Sequence, residues 1–302
     1  MQSSSPLKTL PLMKKAIFKD PRLQEQFDTD GFVKVTLLEN EDVAYLNTLC
    51  QSSFPDPTNH FFSSSYLNDF EKKMAMSNQI ITIVEKRAKT VFENYRLIGA
   101  AFLIKGCGPN SEMPMHQDWT IVDESQYYAI NVWIPLTHAN ATNGALEVIR
   151  GSHLWNKAVR APTLPFYYDG YQEQLKEKLT MVEASPGEVI VLNQAIIHYS
   201  KPNNTNVPRP AITTGMVSQD AKLKLHYWNK EQPKQLEVFD QQDDFLLKFE
   251  DFHSSIFERP VLGKSAGILP YDLPNLSEKE FHRLTRRGGT KRKSLLQRLF
   301  KN

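Results

Sequence analysis

The feature that most constrains the fold of this chain is a block of eight short β-forming segments between residues 97 and 228. These segments are rich in Val, Ile, Tyr, Trp and Thr, and turn pairs such as Asn143-Gly144 and Pro186-Gly187 separate them. Eight short strands in one block predict a mainly β protein with a double-sheet jelly roll. The predicted strands are Leu97–Lys105, Met113–Trp119, Tyr127–Leu136, Ala145–Arg150, Glu188–Leu192, Ile196–Ser200, Pro210–Val217 and Lys222–Trp228.

The segments before this block predict flanking helices. Residues 1–25 form a polar lead-in, and a short strand is expected over Phe32–Leu37, after a turn signal. A helix is predicted over Glu41–Ser52. Residues 70–95 carry apolar side chains at helical spacing, which predicts one or two helices packed outside the core.

The segments that interrupt and follow the strands predict two additions to the barrel. The stretch 155–183 contains Phe166-Tyr167-Tyr168 and is expected to form an insert over the barrel mouth, near a helix at Tyr171–Leu179. The core domain is therefore expected to span residues 26–228, followed by a helical or irregular extension over 229–302. Within this extension, the sequence SEKE that begins at Ser277 resembles a capping box that opens a last helix.

Composition and cysteine usage are those of an ordinary globular protein. Hydrophobic residues make up 40% and charged residues 23% of the 302, so global disorder is not expected. Cys50 and Cys107 do not form a CxxC pair, which disfavours a thiolate zinc site and a disulfide scaffold. No signal-peptide pattern and no run of eighteen apolar residues occurs, so a cytoplasmic protein without a transmembrane segment is expected.

The basic residues are concentrated at the C-terminus. Arg283–Asn302 contains eight Lys or Arg and no acid, so the rest of the chain carries −6, the difference between the net +2 and +8. Clustered basic residues can bind phosphates, but no nucleic-acid partner is expected, because apolar residues alternate with them at helical spacing. This pattern predicts a solvated terminal helix, or one that docks on the body or on an acidic membrane surface. The apolar residues are Leu295, Leu296, Leu299 and Phe300.

The tripeptide His116-Gln117-Asp118 is the strongest indication of chemistry in this chain. On a strand, residues two apart point to the same face, so His116 and Asp118 can reach one metal ion. His198 ends a second β-forming stretch about eighty residues later and supplies a third ligand. Two imidazoles and one carboxylate on one side of a metal suit non-haem Fe(II) oxygenases, which need open coordination positions.

Arg209 follows His198 by eleven residues, across the turn-rich sequence KPNNTNVPR. Its planar guanidinium matches a carboxylate bidentately, so a dicarboxylate co-substrate can chelate the metal at one end and pair with Arg209 at the other. Ser200 points to the same side as His198 on an extended segment and can support the same carboxylate.

Several segments resemble the phytanoyl-CoA dioxygenase family of Fe(II)/2-oxoglutarate oxygenases. FDTDGFVKVTLLENEDVAYL is similar to the family's N-terminal strand and helix, and HQDW to its HxD strand. VWIPLTHANATNGALEVIRGSHLW contains the Asn-Gly turn and the Gly-Ser-His end typical of the family. PGEVIVLNQAIIHYSKPNNTNVPR resembles the distal-His strand with its Ser and Arg. The resemblance covers roughly residues 25–220.

This resemblance implies a double-stranded β-helix core, cupin-like in type, that uses Fe(II), 2-oxoglutarate and O2. It implies three iron ligands, which are His116, Asp118 and His198. Arg209, Ser200 and Trp133 match positions around the co-substrate in the family. Asn131 is expected on the same strand face as Trp133. His153 matches a family position with an expected structural role, and the presence of Asp118 disfavours halogenation.

The function expected from these residues is a dioxygenase that hydroxylates an unactivated C–H bond of a small organic molecule, releasing succinate and CO2. Acyl, amino-acid and natural-product substrates are open, as are desaturation and cyclisation, and the oligomeric state stays undetermined. A CoA ester would need cations near the mouth, for which Lys157 and Arg160 are candidates. The alternatives are a cupin-like metal-dependent lyase or isomerase without O2 chemistry, and a non-catalytic binder.

Overall fold

Two antiparallel sheets enclose the central cavity of this protein, for which a computed structural model describes residues 14–55 and 59–287. In chain order the strands are β1 (Phe32–Thr36), β2 (Phe61–Ser63), β3 (Tyr95–Lys105), β4 (Met113–His116), β5 (Ala129–Pro135), β6 (Leu146–Val148), β7 (Thr180–Val182), β8 (Glu188–Asn193), β9 (His198–Ser200), β10 (Arg209–Ser218), β11 (Leu223–Trp228), β12 (Gln235–Gln241) and β13 (Lys264–Pro270). The helices are α1 (Pro21–Asp30), α2 (Asn40–Ser53), α3 (Phe70–Ala88), α4 (Gln172–Lys176), α5 (Phe252–Ser255) and α6 (Glu278–Arg287).

The larger sheet has six strands in the order β1-β8-β5-β10-β3-β2, and the smaller one has four in the order β4-β9-β6-β7. Neighbours in this order are far apart in the sequence, which is the jelly-roll arrangement that the strand block predicted. All eight predicted strands are present, so the expected fold class is confirmed. The long strands β3, β5 and β10 lie side by side and form the rigid floor of the cavity.

Helices α1, α2 and α3 pack on the outer face of the larger sheet. The long helix α3 begins after Asp69, whose side chain caps Lys72 N, and it buries Met76, Ile80 and Val84 against that sheet. Of the one or two helices predicted over residues 70–95, the structure has one, α3, which ends at Ala88. This packing gives the sheet a large apolar core on its outer face and leaves its inner face for the cavity.

The Gly-Ser-His end of the conserved-looking motif packs against the end of α1. Gly31 ends that helix with a φ of +81°, and a Cβ at this position would lie 2.4 Å from His153 Nδ1. Only glycine fits both the left-handed backbone and the close approach of the imidazole. The buried His153 donates from Nε2 to the Asp28 carbonyl at 3.2 Å and lies outside the cavity lining, as its expected structural role requires.

We expect the stability of the protein to fall as the pH drops from about 6.5 towards 4, in part because of His153. Burial lowers the pKa of His153 to about 4, so the unfolded chain binds a proton in this window that the folded chain does not. Linkage gives a contribution of roughly 2 kcal/mol at pH 5. Urea unfolding of His153→Gln at pH 7 and pH 5 should show a correspondingly smaller loss than wild type. Equal losses in the two proteins would contradict this assignment.

The expectation of a helical or irregular region after residue 229 is wrong for residues 235–241 and 264–270, whereas helices α5 and α6 agree with it. Strands β12 and β13 follow, and together with β11 they form a separate three-stranded sheet in the order β11-β12-β13. The acidic side chains hid this pattern, because Glu237 lies between the buried Leu236 and Val238 and forms an ion pair with Arg259 at 2.6 Å. Strand β11, expected in the barrel, therefore belongs to this added sheet.

The C-terminal end is described as far as helix α6. Its start is the predicted one, since the Ser277 hydroxyl accepts a hydrogen bond from Glu280 N at 3.3 Å. The apolar residues of the proposed amphipathic tail (Leu295, Leu296, Leu299 and Phe300) lie outside the described residues. Within the described part, no helix has the length and the hydropathy needed to cross a bilayer.

Candidate functional site

His116, Asp118 and His198 come together on the inner face of the smaller sheet. Strands β4 and β9 pair so that His116 lies opposite His198, with their ring centroids 4.1 Å apart. Asp118 Oδ1 lies 3.8 Å from His116 Nε2 and 3.9 Å from His198 Nε2. One ligand atom from each residue thus lies within 4.8 Å of the others, a spacing that suits a shared metal ion.

Backbone hydrogen bonds orient both imidazoles for binding through Nε2. Each donates from Nδ1 to a backbone carbonyl, His116 to Pro114 O at 2.7 Å and His198 to Ile196 O at 3.1 Å. These bonds leave both Nε2 lone pairs facing Asp118. Loss of water around the His116 ring, together with the neighbouring His198, lowers the pKa of His116 to about 4. Protons therefore do not compete for this ligand near neutral pH.

Asp118 does not lie on a strand, contrary to the sequence prediction. Strand β4 ends at His116, and the chain continues as an irregular segment. Side-chain hydrogen bonds take the place of the strand-to-strand backbone bonds in this segment. The Gln117 amide donates to the Ala195 carbonyl, and Arg160 Nε donates to the Asp118 carbonyl at 2.7 Å. The two-residue spacing brings both ligands to the metal, but tertiary hydrogen bonds rather than strand geometry orient the carboxylate.

Arg160 is a structural cation and does not offer a free charge to a CoA phosphate. It forms an ion pair with Glu124, in which both side chains are largely buried, and one Arg160–Glu124 hydrogen bond measures 3.1 Å. Its Nε bond to the Asp118 carbonyl completes its anchoring. Arg160, one of the two candidate cations for a CoA ester, is therefore already paired within the protein.

Asn131 connects the larger sheet to the Asp118 carboxylate. Its Nδ2 donates to Asp118 Oδ2 at 3.2 Å, and its Oδ1 accepts from Thr213 Oγ1 at 2.6 Å. Asn131 lines the cavity as the sequence predicted, but its amide is already engaged by these two neighbours. This chain of hydrogen bonds fixes one Asp118 oxygen and leaves the other facing the imidazoles.

We expect Asn131→Leu to weaken Fe(II) or Mn(II) binding by about 10- to 100-fold, the range typical for loss of an outer-shell partner. The substitution keeps the side-chain volume but removes the donor to Asp118. Metal titration by calorimetry provides the measurement, and Asn78→Leu at an exposed position on α3 is the control. Unchanged metal affinity in Asn131→Leu would show that Asp118 needs no support from the larger sheet.

Arg209 lies at one end of the cavity as a buried charge without an acidic partner. It begins β10, is 3% exposed, donates from Nε to Asn143 O at 3.2 Å, and stacks 5.0 Å from the Trp133 ring. Burial lowers its pKa to about 10. Nη1 is buried without a hydrogen bond, and no carboxylate of the described residues forms an ion pair with the guanidinium. A buried cation of this kind calls for an anionic ligand.

The other predicted co-substrate residues lie around Arg209. Ser200 is buried at the end of β9, two residues after His198, and Trp133 is buried on β5. Both line the same cavity as the three candidate metal ligands and Arg209. The structure therefore brings all seven predicted site residues to one cavity.

Lys105 stabilises this end of the cavity and carries no recognisable signal in the sequence. It is fully buried at the end of β3, and its ammonium donates to the carbonyls of Ser111 at 2.6 Å and Lys201 at 2.8 Å. Burial, with a smaller effect from Arg209, lowers its pKa to about 7. Lys105 thus ties the end of β9 to the larger sheet. Its side chain also packs against Gly144, whose φ of +74° permits the tight turn.

The cavity has a volume of about 420 Å³ and extends from Arg209 past the metal ligands to an apolar end. That end is covered by residues 245–256, called the cap here, which contribute Leu246, Leu247, Phe252 and Ile256. None of the cavity-lining residues comes from the stretch 155–183, so the prediction of an insert over the mouth is wrong. Residues 155–183 instead pack with Phe281 and Leu284 of α6.

Two long-range contacts anchor the cap and the residue pair that precedes it, Asp243-Asp244. The buried Lys73 of α3 donates to Phe249 O at 2.7 Å, and Arg96 forms an ion pair with Asp243 at 3.1 Å. These contacts link the cap to the helix and strand on which the cavity is built. Neither the cap nor Lys73 could be recognised from the sequence, since the contacts span more than one hundred residues.

Comparison with known proteins finds one family whose model matches part of this chain. Residues 65–211 match the model of the family described as phytanoyl-CoA dioxygenase (PhyH). A phytanoyl-CoA dioxygenase domain-containing protein 1 homolog from Dictyostelium discoideum is 25% identical over 135 residues, which are 42% of this chain and 48% of that protein. Phytanoyl-CoA dioxygenase 1 from Oryza sativa subsp. japonica is 27% identical over 128 residues, 41% and 45% of the two chains. The chain spans about half the length of these curated relatives.

The fold also matches a solved structure. The non-heme alpha ketoglutarate dependent carbocyclase SnoK from nogalamycin biosynthesis superposes with a TM-score of 0.50 at 15% sequence identity. The match covers 68% of this chain and 86% of SnoK. At this sequence identity the likeness supports the jelly-roll architecture only. The reaction has to be argued from the residues of the site.

Proposed function

We propose that this protein, a member of the phytanoyl-CoA dioxygenase family through its residues 65–211, is a non-haem Fe(II)- and 2-oxoglutarate-dependent oxygenase. One observation carries the proposal: the buried, unpaired Arg209 shares a cavity with His116, Asp118 and His198. A metal site next to a buried cation suits a ligand with a metal-chelating group at one end and a carboxylate at the other. 2-Oxoglutarate is such a ligand.

The donor set fits Fe(II). Two neutral imidazole nitrogens and one carboxylate form the ligand type used by non-haem Fe(II) oxygenases, which keep other positions open. His116, Asp118 and His198 would hold the metal. When bound, the iron supplies O2 activation coupled to oxidation of 2-oxoglutarate to succinate and CO2, and attack on a substrate C–H bond.

The side chains of the protein orient 2-oxoglutarate and the metal ligands, and they shield the reacting bond from water. Arg209 binds the distal carboxylate of 2-oxoglutarate through its guanidinium fork, with Ser200 as a further donor and Trp133 as the wall beside it. Asn131 keeps Asp118 in its ligating orientation. The cap and the aromatic walls exclude bulk water from the reacting bond.

The reaction type that we propose is hydroxylation of an unactivated C–H bond in a small organic molecule. Desaturation and cyclisation use the same residues and differ in the fate of the substrate after hydrogen removal. Retention of Asp118 as a third ligand favours oxygenation over halogenation. We also propose a cytoplasmic location, since two free cysteines and no disulfide are consistent with a reducing compartment.

Substrate-independent turnover of 2-oxoglutarate tests this function. The full-length protein, loaded anaerobically with Fe(II) and then exposed to O2, should convert 2-oxoglutarate to equal amounts of succinate and CO2. Protein loaded with Zn(II) is the control, because Zn(II) occupies the same ligands without redox chemistry. If calorimetry of the Mn(II)-loaded protein detects no 2-oxoglutarate binding, a metal-dependent lyase or isomerase becomes the better assignment.

A further inference from the structure

We propose that the substrate is an uncharged, mainly apolar, ring-bearing molecule that is anchored by one hydrogen-bonding group at Gln194. The inference rests on the proposed function, because it assigns the apolar end of the cavity to the substrate. Four features of that end support it: its position relative to Arg209, its lack of charge, the unpaired amide oxygen of Gln194 and its aromatic walls.

Gln194 lies beyond the metal ligands as seen from Arg209. Along β10, Arg209 pairs with Lys105, Gly215 pairs with Asn131 at the level of Asp118, and Val217 pairs with Ala129. The backbone N–H of Gln194 donates to the Ala129 carbonyl at 3.0 Å, which places Gln194 at this last level. The co-substrate and Gln194 therefore lie on opposite sides of the metal centre.

The apolar end of the cavity offers no charge to a substrate. Apart from the two imidazoles, Asp118 and Arg209 are the only charged side chains among the described residues that line the cavity, and both have other roles. An ionised substrate group buried there would lose its hydration without gaining a partner, which is strongly unfavourable. The lining of this end therefore favours an uncharged group at the reacting carbon.

Gln194 provides a buried polar group in this region that has no partner within the described residues. Its side chain is 6% exposed, and its amide oxygen is buried without a hydrogen-bond partner. Five other polar side chains of the lining form hydrogen bonds within the protein, namely Gln117, Asn131, Thr213, Ser63 and Ser65. Because buried polar groups are nearly always paired, a substrate hydroxyl or N–H is the expected donor to Gln194.

Aromatic side chains shape the remaining walls. The rings of Trp119 and Phe252 are parallel within 8° at a centroid distance of 6.0 Å, and Tyr66 lies 5.0 Å from Phe252. Flat aromatic faces favour a ring-bearing ligand that can stack or meet them edge-on. Phe252 and the rest of the cap lie outside the matched segment 65–211, whereas Tyr66 and Trp119 lie within it.

Binding of three naphthalene derivatives tests the inference. The full-length protein, saturated with Mn(II) and 2-oxoglutarate at pH 7, is dialysed to equilibrium against 2-naphthol, naphthalene or 2-naphthoate. We expect 2-naphthol to bind about tenfold more tightly than naphthalene, as one buried hydrogen bond provides, and 2-naphthoate to bind at least about tenfold more weakly than 2-naphthol. In Gln194→Leu, 2-naphthol and naphthalene should bind equally, whereas exposed Gln232→Leu should preserve the difference.

A second variant reverses the charge preference. Leu246→Lys places a cation in the cap and should raise the affinity for 2-naphthoate by at least about tenfold. Tighter binding of 2-naphthoate than of 2-naphthol to wild type, or a 2-naphthol preference that survives in Gln194→Leu, would overturn the inference. Failure of all three probes to bind would also overturn it. Prior calorimetry of 2-oxoglutarate separates these results from failure of the proposed function, because that ligand binds independently of the substrate end.

Discussion

Asp118→Ala should reduce Fe(II)-dependent formation of succinate by more than about 100-fold, the upper end of what loss of an outer-shell partner costs. The substitution removes the only carboxylate that lies within 4 Å of both His116 and His198 in the described structure. Two neutral imidazoles alone hold a divalent ion weakly, since the negative charge of the site is lost. Succinate formation and metal affinity should therefore fall together.

The measurement combines a succinate assay with metal titration of the same preparation. Asp272→Ala is the matched control, because that carboxylate is 84% exposed and pairs with Lys234 on the surface. Thermal unfolding of the metal-free proteins distinguishes loss of ligation from loss of folding. Wild-type turnover in Asp118→Ala at saturating Fe(II) would exclude the three residues as the catalytic metal site.

Substitution of Arg209 should weaken 2-oxoglutarate binding more than any other change that leaves the metal ligands intact. Arg209→Leu removes a buried cation whose carboxylate partner would then be desolvated without compensation, and such truncations cost about 2–5 kcal/mol. A dissociation constant raised by roughly 30-fold to more than 1000-fold follows from this range. Metal affinity should stay near that of wild type, because Arg209 makes no contact with the ligand side chains.

Arg209→Lys separates charge from geometry. Lysine keeps the charge but loses the planar fork and the stacking on Trp133, so an intermediate loss of affinity is expected. Calorimetry of 2-oxoglutarate with the Mn(II)-loaded proteins provides the measurement, and Arg22→Lys at a side chain that is 90% exposed is the control. A wild-type dissociation constant in Arg209→Leu would place the distal carboxylate elsewhere.

Local sequence patterns predicted much of the fold, because the residue types of a short strand follow its two-residue period. The runs that became β3, β5, β8 and β10 combine β-branched and aromatic residues with sharp turn signals. The strand ends were less accurate, as at β4, where tertiary hydrogen bonds to Gln117 and Asp118 end the ladder early. The sheet of β11, β12 and β13 was missed because its acidic outward residues resemble a polar loop.

Some residues of the candidate site were likewise predictable from the sequence, and others were not. His116, Asp118, His198 and Arg209 were identifiable because the residue types and their order carry the chemistry. Asn131 was expected in the cavity, but its bond to Asp118 depends on the register of β5 with β10. Gln194, Lys105 and Lys73 had no signal, because their importance comes from burial and from partners far away in the chain.

The sequence by itself determined the jelly-roll fold class and the set of groups able to hold a metal and a dicarboxylate. Both depend on local properties, namely the two-residue period of strands and the chemistry of individual side chains. Only the tertiary structure decided which groups stay unpaired. Arg209 lacks an acid and Gln194 lacks a donor because the packing of two sheets and the cap removes water and other partners from them. In the function that we propose, these two ends of one cavity hold the co-substrate and the substrate.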